Sequence, residues 1–186
     1  YLYLNKININ NKLIYKIIEK ISKLLYNNTI NKNNKGVKMR EEKINIKLLN
    51  DDAIIPTYGS DYSAGADLYA NIKECIKIKP RETAFIKTGI ALEIPIGLVG
   101  LVYARSGLSC KQGLALANKV GVIDSDYRGE IIVALYNHSQ ETKIINPNDR
   151  IAQIVFAPYI KGHFNICDNL KDTIRGSKGF GSTGTK

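Results

Sequence analysis

From residue 43 onward, apolar and polar positions alternate or gather into short apolar runs, which is the pattern of β-strands. Alternation over 43–49 (KINIKLL), 76–79 (IKIK) and 163–167 (HFNIC) predicts half-buried strands. Longer runs rich in Ile, Val, Ala and aromatic residues predict further strands at 84–94, 98–104, 130–137 and 150–160.

Turn signals lie between these segments. They are Pro80-Arg81, Pro95-Ile96-Gly97, Asp126-Tyr127-Arg128-Gly129 and Asn146-Pro147-Asn148-Asp149. Many short strands joined by regular turns predict an all-β fold, a barrel or sandwich of the jelly-roll kind. Residues 106–113 (SGLSCKQG) predict a single helical turn with Ser106 as its N-cap.

Length and composition are those of one soluble globular domain. The chain has 186 residues, 44% of them apolar and 24% charged, which is enough for a buried core. No uncharged apolar run approaches the roughly 18 residues of a membrane span. The cysteines, Cys75, Cys110 and Cys167, are far apart and form no C-x-x-C pair, so neither a disulfide framework nor a zinc site is indicated. A reducing, cytoplasmic setting fits this usage best.

The net charge of +10 is concentrated before Met39. Residues 1–38 contain eight lysines and one acidic residue, a net +7, which leaves +3 for the other 148 residues. A basic surface for nucleic acid on the folded body is therefore not indicated.

This basic leader, 1–38, differs in composition from the rest of the chain. It begins with Tyr, contains no Asp, Ala or Pro, and precedes the only Met, Met39. Residues 35–38 (KGVK) can be encoded by a purine-rich, ribosome-binding sequence directly before ATG. We therefore interpret the leader as intergenic sequence read in frame, with translation starting at Met39. A true N-terminal extension is the alternative, because apolar residues between 13 and 25 share a helical face suited to a membrane surface or to organelle targeting.

The glycines near the C-terminus suggest phosphate binding, but in an unusual place. Residues 179–184 (GFGSTG) fit the G-x-G-x-x-G pattern of a dinucleotide-binding turn, yet only two residues follow, too few for the helix that faces the pyrophosphate. The Walker loop is excluded by the order of Lys and Thr in GFGSTGTK. A frayed terminus is one interpretation. The other is a flexible ligand clamp that uses Arg175, Phe180, Ser182 and Thr183.

Two segments in the body carry candidate residues for binding a metal or a phosphate. Residues 63–70 (SAGADLYA) place Asp67 between turns, where it is either a turn residue or a metal partner. Residues 104–113 (ARSGLSCKQG) place Arg105, Ser106 and Gly107 at a strand end. Arg offers a bidentate fork to phosphate, Ser a hydroxyl and Gly a close backbone approach. A plain capped turn explains the same residues.

Two further segments combine acids, an aromatic residue and interrupted strands. Residues 118–131 (NKVGVIDSDYRGEI) predict a hairpin with an acidic turn, in which Asp124 or Asp126 is a turn residue or orders and deprotonates a water. Tyr127 beside them is placed to cover a sugar or a base. In 150–156 (RIAQIVF), Arg150 and Gln153 interrupt an apolar strand, where an arginine is commonly a solvated edge residue.

Taken together, AGADLYA, ARSGLS, GVIDSDYRGEI, RIAQIVF and RGSKGFGSTG resemble, in order and spacing, the five motifs of the trimeric dUTPase family. The match runs from about Ile44 to Thr185, and GVIDSDYRG and the glycine-rich tail are its most specific parts. The resemblance implies a distorted jelly-roll barrel in a homotrimer with three shared active sites. It also implies Mg²⁺-dependent hydrolysis of dUTP to dUMP and diphosphate.

The resemblance further implies roles for individual residues around the phosphates. Asp124 corresponds to the catalytic carboxylate that activates the water attacking the α-phosphorus. Asp67 would act through Mg²⁺-bound water or by steadying the arginine of the second motif. The residues that bind the phosphates or support that binding would be Arg105, Ser106, Gly107, Arg150 and Gln153.

The base and the tail have implied roles as well. Tyr127 would pack against the deoxyribose and exclude a 2′-hydroxyl, and Phe180 would stack on the uracil. The remaining base-site residues would be Asn118, Gly121, Val122, Ile123 and Ile132. The tail residues at the terminal phosphates would be Arg175, Gly181, Ser182 and Thr183.

On this reading the C-terminal arm needs no helix, because it crosses to another subunit and closes as a lid over the nucleotide. The chain would divide into the leader 1–38, a β domain 39–174 and a flexible lid 175–186. Two positions depart from the family pattern: Lys178 stands where the tail usually has Gly, and Ala104 replaces the Pro or Gly often found before RSG.

Other functions are open at this point. A dCTP deaminase shares the fold but has a catalytic Glu and a D-P-G-type turn at the third motif, where this chain has Asp-Ser-Asp-Tyr. A jelly-roll protein that binds nucleotides without turnover would be expected to have lost Asp124 or the tail. Nucleic-acid binding depends on the leader alone. We therefore expect dUTP as the substrate, with no stable nucleic-acid binding and no membrane association.

Overall fold

The computed structural model describes residues 40–179, which form eleven β-strands and one helical turn. The strands are β1 (Asn45–Leu48), β2 (Thr57–Tyr58), β3 (Ala66–Tyr69), β4 (Ile76–Ile78), β5 (Thr83–Glu93), β6 (Leu98–Tyr103), β7 (Leu114–Leu116), β8 (Gly121–Ile123), β9 (Glu130–Asn137), β10 (Lys143–Ile145) and β11 (Arg150–Pro158). A π-helical turn spans Gly107–Lys111. All strands lie in the unit that begins at Ile44. Within the described range, the search for a helix long and apolar enough to cross a membrane finds none.

The strands form three antiparallel sheets. One sheet has the order β1-β5-β9-β7, a second has the order β2-β3-β11-β6-β8, and β10 pairs with β4 in a two-stranded ribbon. A single apolar cluster draws members from both large sheets, so their inner faces pack on each other. The fold is therefore all-β and of the jelly-roll class, as the strand pattern predicts. The pairings leave β1, β7, β2 and β8 as edge strands of the two large sheets, so neither sheet closes on itself.

The alternation along β9 shows how the sequence specifies this packing. Ile131, Val133 and Leu135 are fully buried, whereas Ile132 between them is 47% exposed. Burying each of the inward side chains stabilises the fold by about 1.5–3 kcal/mol. A slip of one residue would exchange the two faces, so the pattern fixes the register.

The central strand β5 contains a bulge where it pairs with β9. Lys87 lies opposite Ile132 and Ala91 opposite Glu130, so three residues of β5 face only Ile131. Gly89 in the bulge has φ of +70°, and a Cβ there would lie 2.8 Å from the Ala53 Cβ. Only glycine fits this backbone conformation without displacing a neighbour.

The predicted strands at 84–94, 98–104, 130–137 and 150–160 are confirmed to within two residues, but the strand predicted at 163–167 is wrong. From 159 to 179 no strand forms. Phe164 and Ile166 there are about fully exposed, at 101% and 99%. A strand requires a ladder partner for its backbone groups, and the described part of this chain offers the segment none.

Candidate active site

A buried aspartate joins two arginines at one end of the five-stranded sheet. Oδ1 of Asp67 accepts a hydrogen bond from Nε of Arg105 at 2.7 Å, and Oδ2 accepts one from Nη1 of Arg150 at 3.2 Å. Nη1 of Arg105 also donates to the backbone carbonyl of Arg150, at 3.3 Å. Asp67 is only 9% exposed. The cluster carries one net positive charge and is therefore suited to an anionic ligand.

The strand register brings these residues together. Gln153 on β11 lies opposite Asp67 on β3 and opposite Tyr103 on β6, so the three form a row across the sheet. Directly opposed residues share a face of a sheet. Arg105 follows two positions after Tyr103, and Arg150 opens β11, so both arginines extend from the ends of strands beside this row.

Gln153 fixes the strand end from which Arg105 extends. Its Nε2 donates to the carbonyl of Ala104 at 3.0 Å. A Cβ at Gly65 would lie 2.5 Å from the Gln153 Oε1 and 3.1 Å from its Cδ. The glycine of the AGADLYA motif therefore leaves room for this glutamine side chain.

These residues line an open cavity of about 490 Å³. We call it the charged cavity; its walls are Gly59, Ser63, Ala64, Gly65, Asp67, Tyr103, Arg105, Ser106, Gly107, Arg150, Gln153 and Val155. A volume of this size accommodates a small-molecule ligand. The second and fourth motifs, predicted to bind phosphate, thus meet the first motif in one concave site.

The helical turn after Arg105 is confirmed with Ser106 at its N-cap position, but the side chain of Ser106 does not cap it. Ser106 has helical dihedrals, φ −55° and ψ −43°, and its side chain makes no cap hydrogen bond. An N-cap residue instead has non-helical dihedrals that direct its oxygen to the N–H groups of the first turn. Ser106 lines the charged cavity.

A second, smaller cavity lies beside the acidic corner between β8 and β9. Its volume is about 180 Å³, and we call it the corner pocket; its walls are Val122, Ile123, Asp124, Tyr127, Glu130, Ile131 and Ile132. It combines an exposed carboxylate, Asp124, with apolar walls and an aromatic ring. This arrangement can hold a planar apolar group against Tyr127 and present a carboxylate to a water.

The corner is held by hydrogen bonds within the chain. The backbone N–H of Tyr127 donates to the carbonyl of Asp124 at 3.2 Å, and the Tyr127 hydroxyl donates to the carbonyl of Glu130 at 3.1 Å. A Cβ at Gly129 would overlap the Tyr127 hydroxyl and ring. The glycine of the YRGE stretch therefore lets the tyrosine ring fold back over the turn.

The prediction that residues 118–131 form a hairpin is wrong. β8 pairs with β6 in the five-stranded sheet, whereas β9 pairs with β5 and β7 in the four-stranded sheet. The acidic turn is thus a corner where the chain crosses between sheets. β9 has a longer apolar face than β8, and its two partner strands in the four-stranded sheet use both of its edges.

The charged cavity and the corner pocket are separated along β6. Ile123 lies opposite Gly100, and β8 runs antiparallel to β6, so Asp124 continues away from the end of β6 that leads to Arg105. The five residue steps from Gly100 to Arg105 span about 17 Å of extended chain. One chain therefore does not bring Asp124 and Arg105 into one site.

Other predicted site residues lie elsewhere. Asn118 is exposed, and among the described residues it lines neither the charged cavity nor the corner pocket. Gly121 is buried, where a Cβ would lie 3.2 Å from the Val102 Cβ. Arg175 is exposed, and its Nε donates to the carbonyl of Lys178 at 3.0 Å. Phe180, Gly181, Ser182 and Thr183, like the leader 1–38, lie outside the described residues.

The sequence reasoning did not single out Tyr103 or Glu130. Tyr103 lines the charged cavity and is exposed at the end of β6, but the apolar run LVGLVY carries no alternation in the sequence that would mark this face. Glu130 lines the corner pocket, and its side chain bonds to the backbone of β5 at 2.9 Å. A contact between residues 41 positions apart leaves no local signal in the sequence.

The described side chains do not form a metal site on their own. Within 40–179, no three His, Cys, Asp or Glu side chains lie close enough together to hold a metal ion. Both oxygens of Asp67 already accept hydrogen bonds from arginines. A cation at this site would need most of its ligands from a bound substrate and from water.

Comparisons with known proteins agree on one family. The dUTPase family model matches residues 51–184. A deoxyuridine 5'-triphosphate nucleotidohydrolase of Desulfitobacterium hafniense is 51% identical over 131 residues, which are 70% of this chain and 87% of that protein. One from Baumannia cicadellinicola is 46% identical over 146 residues, or 76% of this chain and 97% of that protein.

Solved structures give the same result. A mutant dUTPase of Staphylococcus bacteriophage 80alpha with dUpNHpp superposes with a TM-score of 0.71 at 28% identity, covering 77% of this chain and 99% of that one. A mutant dUTPase from phage phi11 of S. aureus, described with a structural Mg(II) ion, has a TM-score of 0.64 at 26% identity. That match covers 70% of this chain and all of the other.

Proposed function

This chain belongs to the dUTPase family, and from that membership we infer that it is an enzyme hydrolysing dUTP to dUMP and diphosphate. Water attacks the α-phosphorus. The reaction limits uracil incorporation into DNA and supplies dUMP for thymidylate synthesis. The observation that carries this inference is that four family motifs line two cavities of matching chemistry, one cationic and one apolar with a carboxylate. We expect the enzyme to act in the cytoplasm.

The charged cavity is the proposed site for the triphosphate. Arg105 is the main cation, and its orientation is set by Asp67, which holds its Nε. Ser106 offers a hydroxyl and Gly107 a close backbone approach, since a Cβ at Gly107 would meet no atom within 4 Å. Arg150 adds a second positive charge, and Gln153 supports the strand end. Charged donors fixed in advance stabilise a phosphoryl-transfer transition state without further reorganisation.

The corner pocket is the proposed site for the base, the sugar and the attacking water. Val122, Ile123 and Ile132 form apolar walls around the uracil, and Tyr127 packs on the deoxyribose so that a 2′-hydroxyl would clash. Asn118 and Gly121 support the hydrogen-bonded edge of the base. The exposed Asp124 carboxylate is the proposed general base for the water.

Because the two cavities lie apart on one chain, we propose that a complete active site forms between subunits of a homotrimer. The charged cavity of one copy would face the corner pocket of another. The segment 159–179 supports this arrangement, since its apolar side chains, Phe164 and Ile166 among them, are not covered by their own body. Covering them on a neighbouring copy would remove this apolar surface from water.

The tail 175–186 is the proposed lid. Arg175, Phe180, Gly181, Ser182 and Thr183 would close over the nucleotide bound by another copy, with Phe180 on the uracil and the polar residues on the terminal phosphates. Closure excludes bulk water and aligns the triphosphate for in-line attack. Lys178, beside Arg175, adds a cation to this segment.

We propose Mg²⁺ as the cofactor. The site fits an ion that is held chiefly by substrate phosphates and water. The Asp67 oxygens keep lone pairs beyond those that bond the arginines, so they can still accept a hydrogen bond from such a water. Asp67 would accept a hydrogen bond from a metal-bound water. When bound, the ion would neutralise charge on the phosphates.

The deciding experiment is pyrophosphate release with Mg²⁺ from dUTP, dCTP, dTTP and UTP, measured side by side with the nucleotide products identified. Fast release from dUTP alone is the expected result. Uridine products from dCTP would assign the chain to the deaminase branch of the fold. Binding of dUTP without turnover would make it a nucleotide-binding protein and overturn the proposed activity.

A further inference from the structure

We propose that Glu130 is a positioning residue of the active site, which fixes the acidic corner against the bulge of β5 so that Asp124 and Tyr127 keep their places. The inference rests on the proposed function, because the roles of Asp124 and Tyr127 are assigned there. Glu130 follows Gly129 directly and begins β9. It is therefore the first residue after the corner that belongs to the four-stranded sheet.

The bulge of β5 supplies the group that Glu130 binds. Three residues of β5 face only Ile131 of β9, so the regular ladder is interrupted at this point. The backbone N–H of Gly89, in the middle of the bulge, donates to Oε1 of Glu130 at 2.9 Å. The side chain thus replaces the ladder hydrogen bond that the bulge removes. An N–H group left without a partner here would cost free energy comparable to a lost hydrogen bond.

A second side chain closes the other side of the same gap. Oγ1 of Thr88, which is 1% exposed, donates to the carbonyl of Ile131 at 2.5 Å. One side chain comes from each strand, and in both bonds β5 supplies the donor and β9 the acceptor. The start of β9 is therefore tied to β5 by paired side-chain bonds and not by the regular ladder.

Glu130 also connects this tie to the corner pocket. Its backbone carbonyl accepts the hydroxyl of Tyr127 at 3.1 Å, and Tyr127 in turn bonds the carbonyl of Asp124 through its backbone N–H at 3.2 Å. A continuous chain of hydrogen bonds runs from Gly89 through Glu130 and Tyr127 to Asp124. Loss of its first link would loosen the residues proposed to select the sugar and to activate water.

The two carboxylates of the corner pocket therefore have different tasks. Oε1 of Glu130 is directed into the sheet, and Oε2 lies 3.9 Å from Nζ of Lys87, with the Glu130 side chain 19% exposed. Asp124 is exposed at the pocket. Glu130 is thus occupied by the backbone of β5, which leaves Asp124 as the carboxylate available to a water.

The chain offers a matched control. Oε2 of Glu82 also accepts a backbone N–H, that of Lys79 at 3.1 Å, but in an exposed turn away from both cavities. We would compare Glu130→Ala, Glu130→Asp and Glu130→Gln with Glu82→Ala. Alanine removes the acceptor and aspartate withdraws it by one methylene, whereas glutamine keeps an oxygen in the same place.

The readouts are the kcat and KM for dUTP, the ratio of kcat/KM for dUTP to that for UTP, and amide hydrogen exchange of peptides covering 87–91 and 121–132. For Glu130→Ala and Glu130→Asp we expect kcat/KM for dUTP to fall about 10- to 100-fold, as small misplacements of reacting groups do. The dUTP to UTP ratio should fall too, and exchange in the corner should become faster. Glu130→Gln should stay within about threefold of wild type, and Glu82→Ala should change none of these quantities.

Two outcomes would overturn the proposal. One is wild-type selectivity and exchange in both Glu130→Ala and Glu130→Asp. The other is a Glu130→Gln protein as impaired as Glu130→Ala, since the missing charge and not the missing acceptor would then be responsible. Failure of the proposed function is distinguishable from failure of this proposal. If the wild-type protein were inactive on dUTP, faster hydrogen exchange in Glu130→Ala would still show that Glu130 holds the corner.

Discussion

Nε of Arg105 donates to Oδ1 of Asp67 at 2.7 Å, which ties the loop after β6 to β3 across the intervening strand β11. The bond fixes the plane of the guanidinium group. Since Asp67 also holds Arg150, one buried carboxylate orients both cations of the charged cavity. Removing its charge should therefore disturb phosphate binding more than the loss of a single ion pair would.

We expect Asp67→Asn to lower kcat/KM for dUTP about 10- to 100-fold, mainly through a higher KM. Hydrogen bonds to charged groups contribute about 1.5–3 kcal/mol, and 1.4 kcal/mol is about a factor of ten. The new amide would also direct a donor at one of the arginines. Steady-state kinetics, with circular dichroism as a check on folding, measures the effect. Asp51→Asn, an exposed position in the turn after β1, is the matched control. Equal kinetics in the two variants would contradict the role of Asp67.

Asp124→Asn should lower turnover strongly while leaving the fold and dUTP binding intact. A general base typically contributes about 10²- to 10⁴-fold to the rate, so we expect kcat to fall by that order with little change in the dissociation constant. Rapid-quench kinetics and calorimetric titration separate the two quantities. Asp126→Asn, exposed in the same corner, should keep most of the activity. Near-wild-type turnover of Asp124→Asn would remove this residue from water activation.

Two inactive variants should complement each other when they are mixed within one assembly. Arg105→Ala damages the charged cavity and Asp124→Asn the corner pocket, and the two lie at opposite ends of β6. If sites form between copies, each mixed trimer that carries both tags has one intact site of its three, so about a third of the sites are restored. Co-expression of the two variants with different affinity tags, followed by tandem purification and a dUTP assay, provides the test. Activity no higher than that of either variant alone would contradict sites shared between subunits.

Deletion of 175–186 should abolish hydrolysis but leave the body folded. The described residues of this segment, 175–179, are exposed and so add little to the packing of their own chain. The melting temperature should accordingly change by no more than a few degrees, whereas turnover should fall to background. Full activity of the truncated enzyme would contradict the proposed lid.

Asn137 is expected to matter for stability and not for chemistry. It is fully buried, and its Nδ2 donates to the carbonyls of Ile78 and Glu141 at 2.8 and 2.7 Å. Asn137→Ala leaves both carbonyls without this donor, so we expect a loss of about 2–4 kcal/mol in the free energy of unfolding. Asn165→Ala, at an exposed position, should stay within about 0.5 kcal/mol. Denaturant unfolding of the two variants would measure the difference, and equal midpoints would contradict this assignment.

The all-β class could be predicted because the pattern of β9 is set locally. Ile131, Val133 and Leu135 alternate with more exposed residues, and each burial depends on the side chain's own position in the strand. The partner of a strand is not set locally. The corner at Asp124 looked like a hairpin because its two strands are close in sequence, yet β8 and β9 lie in different sheets.

Residue types at the site were predictable, but only one of their connections was. The family resemblance offered the steadying of Arg105 as one role of Asp67, and the structure has that hydrogen bond. Only the register of β3, β11 and β6 reveals that the same carboxylate also holds Arg150. No sequence pattern marks Glu130, because its partner Gly89 is distant in the sequence. Only the bulge of β5 leaves the Gly89 N–H free to bond the Glu130 side chain.

The length of β6 keeps the charged cavity, the proposed phosphate site, apart from the corner pocket, the proposed base site. Substitutions at Val122, Ile132 or Tyr127 can therefore reshape the pocket for the base without moving Arg105 or Asp67. In evolutionary terms, the scaffold separates the proposed base pocket from the proposed triphosphate site. A lineage could exchange one nucleobase for another through a few changes in the corner while the same triphosphate grip is inherited intact.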